Sequence, residues 1–253
     1  MTKWDDFFND ISSEIARLDN EEGCARPFFR GLPNQKDPLM PTLFRNDKPI
    51  AAITTIERTL YAEFISHSAV IHSKSSVKNS WDILYEMRHH GLPTRLLDWT
   101  ENFAVALFFA LDFGITNQIV NPTIWILNPI ELNRKSIKLD AIVNATTQDL
   151  DYYSLFIEPD PRRKKYQPFK NPISIFPMRS HPRLLAQNGV FTVHGTEIKP
   201  LNKFYRGILR RFDIPKSIIP DAQRFLKMTN TNDFTLFPDL DGLSRYLRKR
   251  YEI

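Results

Sequence analysis

Apolar residues recur at helical spacing through the first ninety residues. Trp4, Phe7, Phe8, Ile11, Ile15 and Leu18 predict an amphipathic helix entered through Thr2-x-x-Asp5 and closed by the residues around Asn20 to Gly23. Ile53, Ile56, Leu60, Phe64 and Ile71 mark a second long helix. Trp81, Leu84, Tyr85 and Arg88 mark a third, capped by Ser80 or Asn79. Between the first two, Pro27-Phe28-Phe29-Arg30-Gly31 reads as a buried strand with one arginine in it. Gly91 ends the third helix as a left-handed residue, and Pro93 blocks a restart, so Thr94 to Trp99 is extended or tightly turned. Phe103 to Leu111 then has no charged residue on any face and predicts a helix buried all round. Asp98 or Thr100 would cap it, with Glu101 completing a capping box for the first.

The second half is richer in strands. Thr123 to Leu127 is one, stopped by Asn128-Pro129; Ile173 to Phe176, Val190 to Val193 and Phe204 to Phe212 are others. Leu139 to Phe156 has no clear period, and Pro159 to Pro172, with Arg162-Arg163-Lys164-Lys165 inside, is a loop. Ile219 to Met228 and Asp239 to Tyr251 close the chain as helices. Helices early and most strands late predict an α+β fold: one domain over residues 1–253, with a mixed or mostly antiparallel sheet flanked by helices. The N-terminal helix, residues 1–24, packs on it.

Composition narrows the chemistry only slightly. The 253 residues are 42% hydrophobic and 25% charged, ordinary values for a globular domain, and the net charge is +5. That balance is compatible with a phosphate-bearing ligand without announcing nucleic acid. A single cysteine, Cys24, excludes an intramolecular disulfide and a cysteine cage for zinc. No secretory or membrane-spanning stretch is evident, so a cytoplasmic location is expected.

The candidate chemistry sits where polar residues meet the uncharged helix: His89, His90, Thr94, Arg95, Asp98 and Thr100, with Arg30 and Gly31 from the early strand. Arg30 either holds protein acceptors or grips a phosphate, ribose or carboxylate through its planar fork; Gly31 allows close approach of a ligand or of another segment. Adjacent on a helix end, His89 and His90 point about 100° apart and cannot chelate one metal together, and no metal site is expected. Asp98 serves as a helix cap or as a pocket carboxylate, and Arg95 is a possible partner for it.

Phe29-Arg30-Gly31, the block His89 to Thr100 and Ala106-Leu107-Phe108-Phe109-Ala110 resemble the FRG domain, named for its Phe-Arg-Gly signature and found in bacterial and phage proteins. Gln187-x-Gly189-x-Phe191-Thr192 and Leu236 to Leu243 are similar to its later blocks. The order of an arginine-bearing strand, helices, a Ser/Thr strand entering an apolar helix and a late polar residue also resembles ADP-ribosyltransferases. That resemblance implies NAD as substrate, Arg30 on the dinucleotide, and Thr94 or Thr100 with Asp98 at the nicotinamide ribose. It puts Gln187 where that fold carries a glutamate. Glutamine can accept a hydrogen bond but not a proton, so Asp98 would supply the missing carboxylate, near His90. Asp98, Gln187 and His90 are thus the implied catalytic residues. Arg30, Gly31, His89, Thr94, Arg95 and Thr100 are the implied ligand-binding ones. The activity implied is ADP-ribosyl transfer or NAD hydrolysis, in a toxin or antiphage effector acting on a macromolecular acceptor. The other reading is a non-catalytic module for a nucleotide, a nucleic acid or a protein.

Overall fold

The computed structural model describes residues 2–20, 26–69, 79–112, 121–145, 151–159, 162, 168–179 and 181–252. Cys24, Ile71 and the run 163–165 lie outside them, as does the close of the first helix beyond Asn20. Seven strands form one mixed sheet in the order β4-β5-β6-β2-β1-β3-β7. They are β1 (Phe28–Leu32), β2 (Leu96–Thr100), β3 (Thr123–Leu127), β4 (Val143–Asn144), β5 (Ile173–Phe176), β6 (Gly189–Val193) and β7 (Leu209–Asp213). Every pairing is antiparallel except that of β4 with β5.

The early helices follow their sequence signals. In α1 (Lys3–Asn20) the Thr2 amide donates to Asp5 Oδ2 at 2.8 Å and the Asp5 amide to Thr2 Oγ1 at 3.2 Å, a reciprocal cap. Its Phe7, Ile11 and Leu18 pack in the same core as Phe29 and the apolar helix α4 (Phe103–Leu111). In α2 (Ile50–Ser68) the buried stripe is Ile53, Glu57 and Tyr61, so a carboxylate sits on the inner face and Ile56 is turned outward. Asn79 caps α3 (Ser80–His89), and Gly91 ends it at φ 85°.

Several boundaries differ from the sequence expectation. Asn102, rather than Asp98 or Thr100, caps α4, its Oδ1 accepting from the Ala104 amide at 2.8 Å. Asn128-Pro129 ends β3 but also starts α5 (Pro129–Ile137): Asn128 caps it, and proline is tolerated where a helix has no partner for the amide. Residues 204–208 stay outside the last strand. Two short helices, α6 (Pro182–Ala186) and α8 (Asp233–Leu236), are too short to show a period, whereas α7 (Ile219–Met228) and α9 (Leu240–Tyr251) fall where expected.

Gly31 fixes how α4 meets the sheet. A Cβ there would lie 2.6 Å from the Ala110 amide nitrogen and would overlap the Ala106 carbonyl oxygen. The missing side chain is space for the α4 backbone, not for a ligand.

Candidate functional site

The sheet opens at β1 and β2. β1 pairs with β3 over five residues and β2 with β6 over five, yet β1 and β2 share only the pair Phe29↔Thr100. Arg30 occupies this join: its Nη1 donates to the Asp98 main-chain carbonyl and lies 3.8 Å from the Asp98 carboxylate. Its Nε is buried and has no partner among the described residues. Burial pulls the Arg30 pKa down to about 10; Asp98 opposes this and Arg88 adds to it. A desolvated guanidinium with an unused donor is an acceptor-hungry group, and a phosphate or carboxylate oxygen would satisfy it.

Asp98 faces a second arginine. Arg88 Nε donates to Oδ1 at 3.1 Å and Nη2 to Oδ2 at 2.5 Å, a fork-on-carboxylate pair. Burial pushes the Asp98 carboxyl up, but Arg88 and then Arg30 outweigh it and hold it below the usual carboxylate range. The side chain is nonetheless 41% exposed, so Asp98 is an ionised group open to a ligand. Arg183, on α6, interacts with the charges of Asp98 and Asp239, and burial lowers its pKa. Its guanidinium lies 4.4 Å over the Phe237 ring, with Arg245 at 4.7 Å from the same ring. The His89 ring is 4.0 Å from that of His181 and 4.8 Å from that of His90. Arg30, Arg88 and Asp98 thus meet at the β1–β2 join, Arg183 adds its charge to that of Asp98, and the imidazoles of His89 and His181 pack together within the field of Arg183.

The expected site residues do not all gather here. Arg30 and Asp98 meet directly, whereas His89 packs against His181. His90 caps α3 as an exposed residue whose ring contact is with His89. Arg95 does not pair with Asp98. It is fully buried, donates to Glu57 through Nε at 2.7 Å and to the His194 and Gly195 carbonyls at 2.8 and 3.1 Å, and lies 3.7 Å over the Phe156 ring. Every guanidinium nitrogen is used inside the core, so Arg95 is corrected from a ligand contact to a structural tie. Thr94 is buried and accepts from the Leu96 amide. Thr100 donates to the Gln187 carbonyl at 2.7 Å and accepts from the Asn102 amide. Gln187 spends its side-chain amide on the Leu236 carbonyl at 3.1 Å, which positions the segment before α9.

Sequence periodicity marks Arg88 only as part of the third helix, although its place in the site is legible there. It follows the buried Leu84 and Tyr85 by four and three residues, hence on their face. His181, Arg183 and Asp239 give no such signal, since tertiary packing alone brings them near. An open groove of about 670 Å³ at the start of α2, lined by Lys48, Ile50, Lys170, Thr196 and Glu197, contains none of these residues.

The histidines set an expected pH response. An imidazole ordinarily titrates near 6.5; burial, with His181 and Arg183 nearby, lowers His89 to about 4, and burial beside Arg95 lowers His194 to about 3. Both are therefore neutral in the fold where the unfolded chain already binds protons. Their contribution is complete above pH 6.5 and is lost as pH falls from there toward 4. Melting temperature should decline over that window, and more shallowly in His89→Asn; a flat profile would contradict the assignment.

Residues 25–117 match the family model of the FRG domain. The chain thus carries an FRG domain within an α+β fold, and the matched span holds Arg30, Arg88, Asp98 and α4. No curated protein and no solved structure matches the chain. Among the described residues no helix is long and apolar enough to cross a membrane, and no group of three or more His, Cys, Asp or Glu is arranged to hold a metal ion.

Proposed function

We propose that the cleft at the β1–β2 opening binds the phosphate of a nucleotide or dinucleotide, with NAD the first candidate. The observation that carries this reading is Arg30: a largely buried guanidinium with an unpartnered Nε, beside a solvent-reached Asp98 that holds Arg88 in place. In it Arg30 and Arg183 take phosphate oxygens, and Asp98 fixes the arginines and meets ribose hydroxyls.

The resemblance to ADP-ribosyltransferases extends this to transfer of ADP-ribose, or hydrolysis of NAD, in a toxin or antiphage effector. Asp98 is suited to one role there. A carboxylate held below its usual pKa is a poor proton acceptor, but it stays negative and can stabilise positive charge developing on the ribose. The second reading, a non-catalytic binding module, is favoured by a different observation. Arg88 already neutralises Asp98, and Gln187 is committed to Leu236.

Calorimetry against NAD and ADP-ribose, run beside an assay for released nicotinamide, tests both. Binding of both ligands with nicotinamide release supports the enzyme, and binding without release supports the module. Absence of binding to either removes the nucleotide reading.

A further inference from the structure

The short helix α6 carries Arg183, yet little of it is held by the core. None of its five residues is buried, and Leu184 only partly meets the cluster around Phe191. Its N-cap is His181, whose Nδ1 accepts from the Arg183 amide at 3.2 Å. That acceptor exists only on a neutral imidazole with its proton on Nε2. The same ring packs against His89 at the end of α3, with centroids 4.0 Å apart. Beyond α6, Gln187 is tied to Thr100 and to Leu236, and Arg183 itself lies over the Phe237 ring.

We propose that α6 is an acid-released strap: neutral His181 caps it and docks it on His89, and protonation of this contact frees the segment and withdraws Arg183 from Asp98. A protonated His181 has no lone pair for the Arg183 amide, and it sets a positive charge at a helix N-terminus, where the backbone dipoles oppose it. A further proton on His89 puts two cations in ring contact. Arg183 and His90 add to the repulsion at both histidines, whereas Asp239 opposes it at both and Glu86 opposes it at His181. Burial and the cations outweigh the carboxylates, so both imidazoles hold a proton less readily than a free histidine. Docking is therefore complete above pH 6.5, the ordinary histidine value, and weakens as pH falls below it. The effect on a ligand rests on the nucleotide reading above; the release of α6 does not.

The test is amide hydrogen exchange by NMR on the full chain between about pH 7.5 and about pH 5, with each rate corrected for its intrinsic pH dependence. The reporters are the Leu185, Gln187 and Asn188 amides, which donate to the carbonyls of His181, Arg183 and Leu185. Their protection should fall roughly tenfold over that range, the linkage that one unit of pKa lowering delivers, while protection in β2 and β6 holds. His181→Asn keeps a capping acceptor that does not titrate, so its α6 should stay protected at both pH values. His181→Ala should lose the protection at both. Imidazole nitrogen NMR at the higher pH should find the His181 proton on Nε2. Calorimetry with ADP-ribose should show the wild type losing affinity relative to His181→Asn as the pH is lowered.

Protection that is unchanged with pH in the wild type, or that falls as steeply in His181→Asn, would overturn the release. Equal loss of protection in β2 and β6 would also overturn it, since the whole fold would then be opening. A His181 proton on Nδ1 would remove the cap. A responding α6 with the same pH dependence of ADP-ribose affinity in wild type and His181→Asn would overturn the link to Arg183. No ADP-ribose binding at either pH would remove the nucleotide reading, and the exchange data alone would then decide the release.

Discussion

Gly31→Ala should yield little or no folded protein. The added methyl meets main chain on two sides, the Ala106 carbonyl and the Ala110 amide nitrogen, and neither can rotate away as a side-chain tip could. Relief requires moving α4 off β1. That helix buries Ala104, Val105, Ala106, Leu107, Phe108, Ala110 and Leu111 in the core that also holds Phe29 and Ile124. Overpacking where side chains can adjust costs about 1–3 kcal/mol. A backbone clash lies above that range, among the losses beyond roughly 4–5 kcal/mol that mark exceptional substitutions. Soluble yield and thermal melting are the measurements; a variant melting within a few degrees of wild type would contradict this helix placement.

Arg95→Met should be nearly as damaging, for an electrostatic reason. Arg95 and Glu57 are both buried, and Tyr152 donates to Glu57 Oε1 at 2.5 Å. Removing the arginine leaves a carboxylate with one hydroxyl in the interior and two carbonyls, of His194 and Gly195, without their donor. Breaking one side of such a pair costs about 3–5 kcal/mol. Adding Glu57→Gln keeps an acceptor for Tyr152 and removes the stranded charge, so the double variant should be more stable than Arg95→Met alone. Denaturant unfolding of both variants checks this. Equal stabilities would mean that the charge is not what the core is paired against.

Much of this architecture was legible because its signals are local. The uncharged run from Phe103 to Leu111, the Thr2/Asp5 box and the left-handed Gly91 each determine an element within a few residues. Where two residues could do the same local job, sequence did not decide: Asn102 took the cap expected of Asp98, which freed Asp98 for Arg88 and Arg30. Arg95 shows the opposite failure. It stands in the signature block, but it is directed toward Glu57, a carboxylate thirty-eight positions earlier whose inward face appears only once α2 is docked. His181 and Arg183 lack any periodic element long enough to betray a face. They enter the site through the chain path between β5 and β6.

The account turns on Arg30 as the anion-facing group of the cleft, and Arg30→Lys tests it most directly. Lysine keeps a positive charge but loses the planar fork, so the buried Nε donor left unpartnered in the wild type has no counterpart. Calorimetry with ADP-ribose and a melting curve should be run on the same preparation. The account predicts affinity weakened by roughly 1–3 kcal/mol, the scale of charge-assisted hydrogen bonds, with melting close to wild type. Lost stability with unchanged affinity in the protein that still folds would contradict it and return Arg30 to a purely structural role.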